Sequence, residues 1–468
     1  MTDLTPAAPL QTPAQAAHRR AQWMEEARAL IRLAAPLILT QLAQMAILTT
    51  DIVMLGRLGK TALASAAIGN TVYYFAWLVG AGPAAAVSPM IAHISGGGRF
   101  DRAKVRAAVR MGLWAVGMLS VPLIGLMWLA RPVLVALHQD PQLALGAGQF
   151  VSMLSFGLFF ALGYQVLRNF STSLGHPRAA LWVMGASIAY NALADYALIF
   201  GHFGAPRLEI IGSGLATSSS SIFAFVAMLV VIARSPALRG YRIFRRFTRP
   251  VRDKLAEVFR LGLPIGMTMI FEAMLFNTMT LVMGTFGAVS VAAHQIALNF
   301  ASITFMVPLG IAMAATVRVG LAAGRGDLRA ARRAGHVALS VAAGFMALCG
   351  VAMILAGPQI ASLYFGSKTA DDQDVIAMAS TFLKVAAAFQ VFDALQVVGA
   401  LSLRGLKDAR APMLLAGGSY WLVGAPICLI LGLGLHMQGL GIWIGLAAGL
   451  GAAAIAMLLR FRWLTQAA

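Results

Sequence analysis

Four carboxylates stand inside stretches apolar enough to cross a bilayer: Asp51, Asp195, Glu272 and Asp393. An Asp at the centre of a membrane helix costs roughly 2.5–3.5 kcal/mol on insertion scales, so an intramembrane acid is a functional candidate by default. At about 100° per residue, Thr40, Gln44 and Asp51 fall within about 60° of one another on a helix. They make one polar stripe, which should face a protein interior or a watery cavity. Asn191 and Asp195, four residues apart, share a helix face with Ser187. The sixth span opens with GSGLATSSS, 212–220, and together with the next residue, Ser221, this places Thr217, Ser220 and Ser221 on one side. Asp51, Asn191, Asp195 and Thr217 could together offer hard oxygen ligands to Na+, or the two acids could share and exchange a proton. An interhelical hydrogen-bond network that only holds the helices together is the competing structural reading.

Glu272 lies in IFEAMLFNTM and Asp393 in FQVFDALQVV, with Gln390 and Gln396 nearly one turn to either side of Asp393. Phe271, Phe276, Phe389 and Phe392 flank these acids. Negative charge beside aromatic surface suits lipophilic cations. Taken one at a time, the phenylalanines read equally as ordinary core.

The elements that must position these residues are set by composition. The chain has 468 residues, of which 59% are hydrophobic and 11% charged. Its mean hydropathy is +0.79. Soluble domains carry about 25% charged residues, so the chain reads as a polytopic all-α membrane protein. Twelve spans are expected, near 31–55, 64–93, 107–130, 147–170, 179–201, 211–233, 258–284, 288–317, 336–357, 376–402, 411–433 and 439–460.

The net charge of +19 is concentrated on one side of these spans. The clusters Arg99–Arg110, Arg234–Arg260 and Arg318–Arg333, the N-terminal arginines, Arg168, Arg178, Arg404, Lys407, Arg410, Arg460 and Arg462 all fall there. Arg57, Lys60, Arg131, Arg207 and Lys368 fall on the other side, and Lys384 lies inside the tenth span. The positive-inside rule then places both termini in the cytoplasm. The basic run RGYRIFRRFTRPVRDKL reads as a headgroup-contacting loop, and no nucleic-acid partner is expected. Cys349 and Cys428 lie in apolar stretches and read as buried hydrophobes.

The sequence also repeats. Shifted by 228 residues, Arg32-Leu33-x-x-Pro36 meets Arg260-Leu261-x-x-Pro264, Gly56 and Gly59 meet Gly284 and Gly287, and Gly96 and Gly98 meet Gly324 and Gly326. A weaker match shifted by about 232 relates the fourth and fifth spans to the tenth and eleventh. Each repeat holds an even number of spans, so the repeats are parallel, and substrate sites in such proteins lie between the halves. The expected organisation is a cytoplasmic tail, 1–29, and a first lobe, 30–233. A basic linker, 234–257, a second lobe, 258–460, and a tail, 461–468, complete it. Asp51 aligns with Met279 and Gln44 with Glu272, so the lobes share a frame but not a site.

These residues resemble the multidrug and toxic compound extrusion (MATE) family, in its NorM-like branch, over nearly all of 31–460. The matches are AAPLILTQLAQMAILTTDIVMLGRLG, LGLPIGMTMIFEAMLFNTMTLVMG, AAHQIALNFASITFMVPLGIAMAATVRVG and FQVFDALQVVGALSLRGLKDAR. The resemblance implies two six-helix lobes around a V-shaped central cavity and export of organic cations in exchange for Na+ or H+. It implies cation-site roles for Glu272 and Asp393, and coupling roles for Asp51, Asn191, Asp195 and Thr217. NorM-like proteins can have Asn where Asp195 stands, so this chain carries acids at both implied coupling sites.

The expected function is thus a secondary multidrug antiporter of a bacterial cytoplasmic membrane, acting as a monomer on lipophilic cations. It would need no cofactor beyond Na+ or H+ as coupling ion. No nucleophile elbow, phosphate-cradling glycine loop or zinc-ligand spacing is present, so no enzyme is expected. The alternative is a lipid-linked saccharide flippase of the related superfamily, for which a cationic cavity would be the better match.

Overall fold

A helix crosses a bilayer because its backbone N–H and C=O groups pair within the segment, and about 20 apolar residues suffice. The computed structural model describes residues 13–97, 101–245, 247–248, 250–365 and 370–466. Among them twelve helices are long and apolar enough to span a membrane, and no strand occurs. The first six are α1 (Pro13–Gly56), α2 (Lys60–Gly96), α3 (Arg102–Trp128), α4 (Pro141–Ser173), α5 (Pro177–Phe200) and α6 (Glu209–Arg234). The second six are α7 (Arg252–Gly284), α8 (Ala288–Gly324), α9 (Leu328–Leu355), α10 (Ala370–Gly405), α11 (Arg410–Gly434) and α12 (Gln438–Gln466). Gly98, Arg99 and Lys368, and the stretches 1–12 and 467–468, lie outside the described residues.

Several helices run past the apolar stretch at the basic end. Residues 13–29, expected as a tail, are the first turns of α1, and Arg252–Glu257 of the expected linker begin α7. Loop acids start helices: Asp101 accepts from the Ala103 and Lys104 amides, Asp140 from Gln142 and Leu143, and Asp327 from Ala330. Each satisfies orphan first-turn donors. In α11 the pitch widens to π-helix over Ser419–Gly424 and Ile430–Gly434, on either side of Ala425–Leu429. Pro426 has no N–H to give and its ring crowds the preceding turn, which the wider pitch accommodates.

Both halves pack on one plan. In the first, α4 lies against α2, α3 and α6; in the second, α10 lies against α8, α9 and α12. The halves meet where α1 packs on α8 and α2 packs on α7 and α8. Backbone touches backbone there. A Cβ built on Gly82 would stand 2.6 Å from the Gly266 nitrogen, and one on Gly262 would stand 2.7 Å from the Pro83 nitrogen. Only glycine permits so close an approach.

Polar groups seal the same end. Arg318 of α8 donates through Nε and Nη2 to the two Glu26 carboxylate oxygens of α1, at 2.8 and 2.6 Å. Arg333 Nη1 donates to Gln22 Oε1 at 2.7 Å, and His93 Nε2 lies 2.8 Å from the Gly405 carbonyl oxygen. At the opposite end the turns after α1 and α7 are free of such packing: nothing lies within 4 Å of a Cβ built on Gly56, Gly59, Gly284 or Gly287. The halves are therefore closed on each other at the basic end.

A Glu26→Gln substitution is expected to loosen this closure by about 1–3 kcal/mol, the worth of charge-assisted hydrogen bonds. Spin-label distances across the basic end should widen, with the fold retained by circular dichroism. An unchanged distance distribution would show that the glycine contacts alone hold the end shut.

Candidate functional site

The first-half acids come together. Asp51 on α1 is 6% exposed, and Asn191 and Asp195 on α5 are fully buried. Thr217 Oγ1 on α6 donates to Asp51 Oδ2 at 3.1 Å. Asp195 and Asn191 face Asp51 within interaction range, and Ser213 faces Asp195. Three helices thus converge on one polar point.

Its bonding is incomplete. Asp51 Oδ1, both Asp195 oxygens, both polar side-chain atoms of Asn191 and Ser213 Oγ are buried with no hydrogen-bond partner among the described residues. A buried polar atom without a partner costs about 1–3 kcal/mol, and more when charged. Two neighbouring buried carboxylates balance only by sharing a proton or holding a cation. The donor set suits either: carboxylate, amide and hydroxyl oxygens are hard ligands. The described residues contain no group of three or more His, Cys, Asp or Glu that could hold a metal, so a Na+ here would draw on Asn191 and Thr217 as well.

Other expected members stand apart from this point. Thr40 is buried, and its hydroxyl donates to the Pro36 carbonyl at 2.7 Å. Ser187 donates to the Val183 carbonyl and Ser221 to the Thr217 carbonyl within their own helices, while Ser220 donates to the Ser187 carbonyl and ties α6 to α5. Gln44 is half-buried and joins none of the cluster's hydrogen bonds.

The second-half acids form a separate group. Glu272 on α7 is half-buried, Asp393 on α10 is 7% exposed, and Asp393 feels the charge of Glu272. Gln390 Nε2 donates to Thr304 Oγ1 at 2.7 Å. Gln390 Oε1, Asp393 Oδ1, Gln396 Oε1 and Tyr420 Oη are buried and unpartnered among the described residues. Phe271, Phe276 and Phe389 pack into the core, whereas Phe392 is exposed. Phe276 meets Phe389 edge-on at 6.0 Å, and Phe271 lies against Gly417 of α11.

Four residues join these groups without having been singled out from sequence. Ser213 lies between Gly212 and Gly214 near the start of α6. Tyr74 of α2 lies within electrostatic range of Glu272, across the meeting of the halves, and stacks on Trp77 at 6.3 Å. Tyr420 sits in the first π-helical segment of α11 and feels Glu272, Asp393 and Arg404. Arg404, expected in a loop, is 8% exposed near the end of α10 and within electrostatic range of Glu272. A central pair of adjacent tyrosines, Tyr73-Tyr74, was the one local signal available.

Twelve membrane-length helices in two repeats, each carrying a buried acid, define a polytopic membrane protein. The MatE family profile matches residues 36–197 and 264–430, one segment per repeat. A probable multidrug resistance protein NorM from Mesorhizobium japonicum is 42% identical over 444 residues, covering 95% of each chain. Another so named, from Pseudomonas aeruginosa, is 39% identical, covering 94% of this chain and 90% of its own. Among solved structures, the eukaryotic MATE transporter AtDTX14 superposes with a TM-score of 0.83 at 21% identity, covering 95% of this chain and 98% of its own. The chain belongs to the MatE family. It is a multi-pass membrane transporter and not an enzyme.

Proposed function

We propose that the protein is a multidrug efflux antiporter that expels lipophilic cations in exchange for Na+ or H+, by alternating access, as a monomer in a bacterial cytoplasmic membrane with both termini inside. The observation that carries this reading is the buried Asp51–Asp195 pair with its unpartnered oxygens: it stores a charge that one proton or one Na+ completes. The names of the NorM relatives support the efflux of drugs. With the basic end inside, the closed end described above is cytoplasmic, and the site faces outward.

In this reading Asp51, Asn191, Asp195 and Thr217 take the coupling ion from outside. Glu272 and Asp393, with Gln390 and Gln396 beside them, meet the cationic cargo from the second half, and Tyr74 offers an aromatic face from the first. An ion that binds one state better than the other shifts the balance of states, and a cargo that prefers the opposite state makes the two exchange.

Proteoliposomes with an imposed Na+ or H+ gradient and a fluorescent lipophilic cation test this directly. Efflux should follow one gradient and vanish when that gradient is collapsed. Gradient-independent efflux, or full activity of the Asp51→Asn/Glu272→Gln double variant, would overturn it. Glu272→Gln alone should raise the cation's apparent KM roughly 10- to 100-fold, the loss of one charge-assisted contact. Its effect on a neutral substrate of similar size should be small.

A further inference from the structure

A cavity of about 520 Å³ lies at the basic end, away from both acid groups. Ala29 and Arg32 of α1, Ser173 and His176 at the α4–α5 turn, and Arg318 and Leu321 of α8 line it. Both repeats therefore contribute walls, so it exists in this form only while the basic end is closed. Arg32 is exposed and makes no ion pair among the described residues, whereas Arg318 is held by Glu26. Ser95 Oγ, also on the lining residues, is buried without a partner. Tyr241 closes one side; burial raises its phenol above the usual range, so it brings no negative charge.

The internal repeat shows what this place lacks. Shifted by 228 residues, Ala29 corresponds to Glu257, Arg32 to Arg260 and Leu321 to His93. In the second copy Glu257 accepts from Lys254 at 2.6 Å and Lys407 at 2.7 Å, and His93 reaches the Gly405 carbonyl at 2.8 Å. The first copy links the halves differently, through Glu26 of α1 and Arg318 of α8, one turn before Ala29. The first copy has Ala29 and Leu321 at those positions and a cavity beside Arg32, which, like Arg260, makes no ion pair among the described residues.

We propose that the Arg32 cavity binds a phosphate group, and that its occupation holds the basic end closed. An arginine offers a planar fork of donors matched to phosphate oxygens, and His176 and the Ser95 hydroxyl stand on the same lining. The volume is that of a small-molecule site. Two sources share this chemistry: the headgroup of an anionic phospholipid, reached from the interface where Arg32 is exposed, and dissolved phosphate. A ligand that binds only the closed form shifts the balance toward it by its differential affinity. The holding role rests on the alternation proposed above; the binding does not, nor on which ion couples.

The test uses the full chain in nanodiscs of phosphatidylcholine, with or without phosphatidylglycerol, and with inorganic phosphate as a separate arm. Native mass spectrometry reads bound lipid, and spin labels at Ala103→Cys and Arg329→Cys, in a background free of Cys349 and Cys428, read closure. Phosphatidylglycerol should stay bound and raise the closed-to-open ratio about fivefold or more. Arg32→Gln should lose both effects. Ala29→Glu, which supplies the carboxylate of the second copy, should be closed in phosphatidylcholine alone and insensitive to phosphatidylglycerol. Closure by inorganic phosphate alone supports the site with a soluble occupant; closure by phosphatidylglycerol alone supports a headgroup. A wild-type protein indifferent to both, or an Arg32→Gln variant that responds like wild type, would overturn the proposal. Retained lipid with a single unchanging distance in every condition would overturn the holding role and leave the site.

Discussion

Asp51→Asn is expected to abolish gradient-driven efflux while leaving the protein folded. Asp51 sits where three helices meet, nearly buried, with Thr217 donating to one of its oxygens. An Asn side chain keeps the shape and can still accept from Thr217, so packing survives. What it removes is the charge. If a proton couples, the site loses a group that exchanges one; if Na+ couples, it loses a carboxylate ligand. Loss of an outer-shell partner already costs about 10–100-fold in metal affinity, and loss of the ligand itself should cost at least as much. Asp195→Asn should also impair efflux, since it too leaves a single buried acid beside a neutral partner. Thermal unfolding separates coupling from mere packing. Neutralising one of two buried acids should leave the unfolding midpoint unchanged or raise it. A variant that unfolds earlier, by about 1–3 kcal/mol, yet still couples would mark the cluster as structural only.

The membrane fold was legible because a bilayer imposes a length and a polarity on every span, and both are local properties of sequence. Loops rich in arginine likewise marked one end, and a carboxylate in an apolar run marks itself. Helix periodicity put Asn191 and Asp195 on one face, and the polar residue types of α1 and α6 suggested Asp51 and Thr217 as their partners. Periodicity gives only the face, however, and not what that face meets. Thr40 shares the Asp51 stripe yet spends its hydroxyl on the Pro36 carbonyl. Phe276 stands one turn from Glu272 yet packs into the aromatic core with Phe389. Contacts between distant segments left no local trace at all. Glu26 reads as a tail residue until Arg318 is seen beside it, and Arg404 reads as a loop residue until α10 is seen to bury it near Glu272. The π-helical turns that place Tyr420 are also invisible locally, beyond the hint of Pro426 among glycines.

Gly262→Leu should hold the basic end open and stop export. The contact it disrupts is backbone on backbone. A Cβ at 262 would stand 2.5 Å from the Pro83 Cα and 2.7 Å from its nitrogen, and no rotamer change relieves either contact. Helix α7 must therefore retreat from α2, and the Gly82–Gly266 approach beside it is lost too. Overpacking of this kind costs typically about 1–3 kcal/mol, and a full Leu side chain adds bulk beyond the Cβ. In the alternating-access reading the open form separates α2 from α7, so that cost falls on the closed basic end alone. The balance of states should then move about 5- to 150-fold toward the form open at the basic end. A transporter confined to one state can still bind its cargo but cannot deliver it. Spin-label distances at the basic end should lengthen, dye binding should persist, and gradient-driven efflux should disappear. Gly185→Leu and Gly344→Leu serve as controls, since nothing lies within 4 Å of a Cβ at either position. Both should transport normally. A Gly262→Leu protein that closes and exports like these controls would show that α2 and α7 do not govern the basic end, leaving Glu26 and Arg318 as its principal latch.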